Sequence, residues 1–477
     1  MSADVQWCLN NKDTITLKSF AENFGLLERQ YAVSRYTSII NSPHLAADQE
    51  RLQSELDLLK KSEEFKLYWM ERTRKRTRLD VDTEYDTTIS TPTTSAPSTS
   101  YHTTAISTAN DTTKTTIIGD VENPTPLIPW IFKGVNVAEL FAKFQKTVQQ
   151  ISTGHLFFIE SSVHELLALS NIFLLCPDQY SPLCINIFTE DVLSDLNKEL
   201  LTECMDFNQD MNDDACMKLS RIINNVESKR LSKDDAEIDL LMLGKSLNPF
   251  ERSLVWGIKA GMRKLPLMPI KTKKSLGECE LFTMYFDPIL SALFSDPDKN
   301  VLLRWSNVTS DESGEMRPDA TISEICQRDF GPSRGYGEVK LARPTTDNHA
   351  LCHDFLRLAT LAKDTIDMNK LQAALTFQIN GFNIIFYLSR LRHDGIYIMQ
   401  EIGRLAFPRS LEELASFVNL KNIRTLLMVT EAFWRLCQPV NDEELWKTKR
   451  RPTYPAIYSL IHATKDRRRF CALQFEC

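Results

Sequence analysis

The sequence predicts an α+β protein: a helical N-terminal half followed by a C-terminal core of strands and helices. Two observations predict this. Residues 1–80 and 128–264 carry apolar side chains at three-and-four spacing, the period of a helix face. After about residue 275 the texture changes to short runs rich in β-branched and aromatic residues: VLLRWSN, RPDATISEI, YGEVKLA, ALTFQIN, FNIIFYLSRL and GIYIMQEIGRLAF.

The chain has 477 residues, room for two to four domains, with 43% apolar and 25% charged residues as in an ordinary globular protein. A net charge of −7 gives no overall attraction to nucleic acid, so polyanion binding would fall to local basic patches. The eleven cysteines include no C-x-x-C pair, which argues against a zinc module and against a disulfide framework. Their number fits a reducing compartment. The start lacks the apolar core of a signal peptide, and no apolar run reaches the length of a membrane span. These features place the protein inside the cell and away from the membrane.

Five regions follow from composition. Residues 1–82 read as a helical segment, with Leu52, Leu56 and Leu59 on one face of an amphipathic helix. It ends in ERTRKRTR (71–78), where five of eight residues are Lys or Arg. That cluster reads either as a solvated helix end or as a nuclear-localisation or polyanion patch. Eighteen of the thirty residues 87–116 are Ser or Thr, so 83–127 is expected to be a disordered linker. Residues 128–264 form a helical domain, in which SSVHELLALSNIFLL reads as one helix capped by Ser161 or Ser162, with Glu165 placed for a capping box. Residues 265–440 hold the strand-rich core. It opens with a helix over 275–295, kinked or restarted at Pro288, and carries a second helix, DNHALCHDFLRLATLAKDTIDMN, capped near Asp347. The tetrapeptide Arg392-His393-Asp394-Gly395 supplies a hairpin turn. Residues 411–437 return to helix, and 441–477 form a tail with KTKRR (447–451) and DRRR (466–469).

Several chemical motifs fail on inspection. Gly244-Lys245-Ser246 resembles the end of a phosphate loop, but Asp239 stands where its first glycine belongs. The run Asp206–Asp210 resembles the start of a calcium loop, but Met211 replaces the turn glycine and Met217 the closing glutamate. Cys352 and His353 have no spaced metal partners.

Pro318-Asp319 followed by Glu338-Val339-Lys340 survives. Pro-Asp also occurs at 177 and 297, and Glu-x-Lys at 64 and 227, but only here do the two fall on consecutive expected strands, joined by the loop QRDFGPSRG. Glu338 and Lys340 share a strand face. Alone, such a pair also suits an edge strand charged against aggregation.

With these residues in this order, the second half of the chain resembles the PD-(D/E)XK nuclease superfamily, over about 170 residues. That superfamily's core runs helix, three strands, helix, strand. The chain also resembles a type of protein from early-diverging fungi that joins a helical N-terminal half to such a core. The resemblance implies a mixed sheet flanked by helices and a Mg²⁺- or Mn²⁺-dependent hydrolysis of phosphodiester bonds, with DNA favoured over RNA; the basic cluster at 71–78, left accessible by the adjacent linker, favours the nucleus over the cytoplasm. Asp319, Glu338 and the Val339 carbonyl would hold the metal. Lys340 would orient water or stabilise the transition state. A glutamate of the first helix, Glu280 in preference to Glu278, would join them.

On the following helix, Arg357 and Lys363 are candidate phosphate contacts, although Asp354 and Arg357 also read as a surface i,i+3 pair. Gln378 on the next strand is a weaker candidate. Two other readings stay open: a nucleic-acid-binding or regulatory protein on the same fold without catalysis, and a helical protein-interaction scaffold.

Overall fold

The computed structural model describes residues 3–11, 15–24, 29–40, 48–61, 65, 68, 128–270, 276–310, 312–314, 316–342, 347–440, 457–462 and 470–476. The Ser/Thr-rich stretch 83–127 and the basic clusters at 71–78, 447–451 and 466–469 lie outside these residues. The chain forms two compact units, Met1–Ile117 and Ile118–Cys477.

The first unit holds helices α1 (Ala3–Asn10), α2 (Leu17–Asn23), α3 (Arg29–Ile40) and α4 (Gln49–Lys61). Thr16 opens α2 with a capping box to Ser19. Leu52 and Leu56 of α4 are buried with Phe20, Tyr36 and Phe65, as expected of one apolar helix face.

The second unit begins with a short hairpin, β1 (Ile131–Phe132) and β2 (Val135–Asn136). Helix α5 (Val137–Ser152) is capped by Asn136 and buries Val137, Phe141, Phe144 and Val148. The expected long helix at 161–175 is two elements. Helix α6 (Val163–Leu169) stops, Asn171 turns the chain at φ 62°, and Ile172–Leu175 is a strand, β3, buried at every residue. Four consecutive apolar residues suit a strand covered on both faces as well as a helix, so periodicity alone does not separate the two. The expected capping box is absent. Ser162 makes no side-chain cap, and Glu165 instead accepts from Ser181 Oγ at 2.6 Å.

Helices α7 (Pro182–Phe188), α8 (Glu190–Cys204), α9 (Asp213–Glu227), α10 (Lys233–Gly244) and α11 (Pro249–Lys264) follow. Ser181, Asn212, Ser232 and Asn248 cap α7, α9, α10 and α11 with their side chains. The helix expected over 275–295 is α12 (Glu278–Leu281), a π-helical turn (Phe282–Phe286) and α13 (Asp287–Phe294), with Pro288 in the first turn of α13.

A seven-stranded mixed sheet organises this unit. Its strands are β3, β4 (Val301–Arg304), β5 (Ala320–Cys326), β6 (Asp329–Lys340), β7 (Ala373–Asn380), β8 (Asn383–His393) and β9 (Ile396–Ala406), in the order β3-β9-β8-β7-β6-β5-β4. Strands β4, β5 and β6 form an antiparallel meander. Helix α14 (Asn348–Asn369) then carries the chain to β7, which is parallel to β6. Strands β8 and β9 continue antiparallel, and β3 closes the far edge parallel to β9.

The expected boundary at 264/265 therefore does not divide the structure, because residues 172–175 contribute a strand to the C-terminal sheet. The nine-residue loop QRDFGPSRG is likewise mostly strand. Gln327 and Arg328 alone make the turn, at φ 53° and 73°, and β6 begins at Asp329. The Asp394-Gly395 turn joins β8 to β9 as expected, at φ 38° and 78°.

Helices cover both sheet faces. Val339, Leu375, Phe377, Ile379 and Phe386 pack with α11, α13, α15 (Leu411–Phe417) and α16 (Leu420–Leu436). Ile385 and Tyr387 pack with α5, α6 and α14 on the other face. Two glycines allow β6 and β7 to meet closely. A Cβ at Gly335 would lie 2.4 Å from the Leu375 carbonyl oxygen, and one at Gly337 would lie 2.2 Å from the Phe377 ring. No helix among the described residues is long and apolar enough to cross a membrane.

Candidate active site

The GYGEVK run lies on β6, between β5 and β7, so it is not an edge strand. Tyr336, Glu338 and Lys340 point to the face covered by α14, where Tyr336 packs on Leu358 and Leu361. Glu338 is only 1% exposed. A solvated charge stripe is thereby excluded.

Asp319 immediately precedes β5. The next residue, Ala320, pairs with Gly337, the residue before Glu338, so Asp319 sits at the end of the ladder beside this part of β6. Asp319 Oδ2 accepts from the Val339 N–H at 2.8 Å, which fixes the carboxylate against β6. Its charge acts on both Glu338 and Lys340.

Helix α14 completes the cluster. Asp354, 5% exposed, receives Lys340 Nζ at 3.0 Å. Arg357 Nη1 stands 3.1 Å from Glu338 Oε1 and 3.6 Å from Asp354 Oδ1, and its Nη2 donates to the Arg317 carbonyl at 2.7 Å. The expected surface pair Asp354–Arg357 is thus a buried carboxylate with a half-buried guanidinium, reaching to Glu338 of the sheet. Asp354 falls within the apolar stripe of Leu351, Phe355, Leu358 and Ala362, and that position is the signal for its burial.

Three carboxylates and two cations share this space, leaving one negative charge in excess. Burial, the neighbouring Asp354 and Asp319 push Glu338 up to about 9, against the opposing pull of Arg357 and Lys340. Burial also raises Asp354, and Lys340 and Arg357 offset that rise only in part. For Lys340 the desolvation that would lower it is outweighed by Asp354, Glu338 and Asp319, so the ammonium is held above its ordinary range.

A cleft of about 280 Å³ opens beside Lys340, lined also by Glu278, Asp347, Asn380 and Glu476. The glutamate of α12 that lines it is Glu278 and not Glu280, the preferred candidate from sequence. Both are exposed. Glu476 had no signal in the sequence.

Two further candidates lie elsewhere in the core. Lys363 is 3% exposed, pairs with Asp367 at 3.5 Å and sits over the Tyr397 ring, so it is not available to phosphate. Gln378 donates to the Leu351 carbonyl at 2.8 Å and ties α14 to β7. A larger cavity, about 420 Å³, opens toward the other end of β5 and β6 among Arg304, Glu312, Asp329 and Phe330, and includes none of the expected site residues.

Among the described residues no three His, Cys, Asp or Glu side chains are grouped to hold a metal. Mg²⁺ needs less, since it is held by one or two carboxylates and keeps several waters. The donors fit it in kind. Asp319 and Glu338 are near enough for the charge of one to act on the other, and Glu338 Oε1 and Asp354 Oδ2 receive no hydrogen bond of good geometry despite the cations near them. The Val339 carbonyl accepts from Lys340 Nζ at a long 3.4 Å.

Comparison with family models, with curated proteins and with solved structures finds no match to this chain.

Proposed function

We propose that the protein is a Mg²⁺-dependent nuclease that hydrolyses phosphodiester bonds, with DNA as its favoured substrate. One observation carries this reading: Asp319, tied to β6 by the Val339 N–H at 2.8 Å, lies within electrostatic reach of Glu338 and of Lys340, which share one face of that strand. The order of helix, three-strand meander, helix and parallel strand supports it, being that of the PD-(D/E)XK core.

When bound by Asp319, Glu338 and the Val339 carbonyl, Mg²⁺ would supply an activated water and neutralise charge on the phosphate. Glu338 must first give up the proton that burial lets it keep. Lys340 stays charged at the cleft and would hold the attacking water or a phosphate oxygen. Arg357, released from Glu338, would turn its planar fork to the phosphate. The basic stretches at 71–78, 447–451 and 466–469 would add contacts along the nucleic-acid backbone.

The test is cleavage of plasmid DNA and of RNA with Mg²⁺ or Mn²⁺, alongside Asp319→Ala, Glu338→Ala and Lys340→Ala. Cutting by the unaltered chain and its loss in all three variants is the expected result. Equal cutting by the variants would reject the assignment.

The ion pairs of Arg357 with Glu338 and of Lys340 with Asp354 favour one second reading, a nucleic-acid-binding protein without catalysis. It predicts affinity that falls steeply with salt and does not depend on divalent cations.

A further inference from the structure

Cys352 and Cys471 meet across 119 residues of sequence, with Sγ atoms 3.5 Å apart. Cys352 is fully buried on α14, two residues before Asp354, and Cys471 is half-buried. Residues 470–476 run from the start of α6 to the cleft. The Ala472 N–H donates to the Glu160 carbonyl at 3.2 Å and the Gln474 N–H to Gln179 Oε1 at 2.7 Å. Arg404 Nη1 donates to the Glu476 carbonyl at 2.7 Å, and Leu473 and Phe475 are buried. The segment ends with Glu476 on the cleft wall, a wall it shares with Lys340.

We propose that Cys352 and Cys471 are a peroxide-sensitive thiol pair whose disulfide fastens residues 470–476 in place and holds Glu476 at the mouth of the cleft. The effect on cleavage rests on the nuclease reading; the crosslink does not.

The two sulfurs differ in the way the chemistry requires. The hydrogen bond from Cys352 holds Cys471 below the ordinary thiol range, while burial pushes Cys352 up. Cys471 is therefore the attacking thiolate and also the more accessible of the two. It attacks one peroxide oxygen: the S–O bond forms, the O–O bond breaks, and the departing hydroxide takes the proton that Cys471 gave up and leaves as water. Cys352 then attacks the sulfenic sulfur. The S–S bond forms, the S–O bond breaks, and the thiol proton leaves with the second hydroxide as water. Two thiols lose two electrons and one peroxide becomes two waters.

Glu476 already lines the cleft that Lys340 lines while the thiols are free, so a crosslink that stops residues 470–476 from leaving keeps its negative charge in the path of a phosphodiester, and a dithiol lets the segment move away. The experiment treats the full chain with hydrogen peroxide, then with dithiothreitol. Peptide mapping without reductant should recover the 352–471 crosslink. Hydrogen exchange over 470–476 should slow at least tenfold, and Mg²⁺-dependent DNA cleavage should fall at least tenfold and recover on reduction. Cys471→Ser, which leaves the buried Cys352 in place, should show none of these changes. Oxidation of other cysteines with no 352–471 peptide overturns the proposal. So does equal inactivation of Cys471→Ser by peroxide. If the reduced chain cuts nothing, the nuclease reading falls, and the crosslink stands or falls on the peptide map and the exchange rates.

Discussion

Glu338→Gln should stabilise the protein, by an amount that grows with pH. The side chain keeps its shape, but a group that ionises in the unfolded chain is replaced by one that never does. In the folded protein Glu338 holds its proton up to about 9, against an ordinary value of 4.5. A raised carboxyl pKa contributes stability that is fully present below pH 4.5 and lost as pH rises toward 9. Between those limits the unfolded chain has released a proton that the folded chain still binds. Each pH unit in that window is worth about 1.4 kcal/mol. From pH 6 to pH 8 the gap between variant and unaltered protein should therefore widen by about 3 kcal/mol. Glu338 is 1% exposed, so solvent screening removes little of this. Urea unfolding of both proteins at pH 6, 7 and 8 measures the gap, and the other titrating groups cancel in the difference. A gap that stays constant over the range would mean that Glu338 is ionised in the fold and already neutralised by Arg357 and Lys340. That result would refute the account of the site as one that exchanges a proton for a metal.

The same proton gives a second expectation. On the proposed nuclease reading Mg²⁺ would displace it, so the apparent Mg²⁺ affinity should rise up to about tenfold per pH unit between pH 6 and pH 8. Titration calorimetry in buffers of different ionisation enthalpy reads the released proton directly, and a pH-independent affinity would remove Glu338 from the ligand set. Arg357→Gln takes away a charge that lowers Glu338, so the pH range over which the Glu338→Gln gap widens should extend upward; an unchanged range would show that Arg357 does not act on Glu338. Gly337→Ala should cost roughly 1–3 kcal/mol, because the new methyl meets the Phe377 ring, and an unchanged urea midpoint would contradict the close β6–β7 approach. His164 is buried and held down to about 3, so its contribution is complete above pH 6.5 and is lost as pH falls. About 2 kcal/mol should go between pH 6.5 and pH 5, and that slope should be absent in His164→Leu.

The sequence was most legible where one pattern had one physical cause. The β-branched and aromatic content of ALTFQIN and FNIIFYLSRL, the Asp-Gly turn at 394–395 and the apolar stripe of α14 each dictate their local structure. The meeting of Asp319 with the Glu338–Lys340 strand was legible only as an order of strands, because register depends on turn length. There Gln327 and Arg328 adopt positive φ without glycine, which no turn composition announces. IFLL at 172–175 misled because a fully buried strand and a buried helix look alike over four residues. Lys363 misled for the opposite reason: a charged residue on a helix is expected at the surface, and here Asp367 and the Tyr397 ring accommodate it inside. The cluster around Glu338 violates the usual rule that charges stay outside, and only three-dimensional packing shows that Asp354 and Arg357 join it.

Strand β3 has a consequence for how the chain is made. Ile172 pairs with Tyr397, a partner more than two hundred residues downstream. At the usual pace of synthesis, roughly 5–20 residues per second, β9 follows β3 by on the order of ten seconds or more. Throughout that interval a strand apolar on both faces has no sheet to join. Its edge is a template for any other unpaired strand, in this chain or in another emerging nearby. The last step of building the sheet is therefore also its most exposed, and the yield of folded protein should depend on what shields IFLL until β9 arrives.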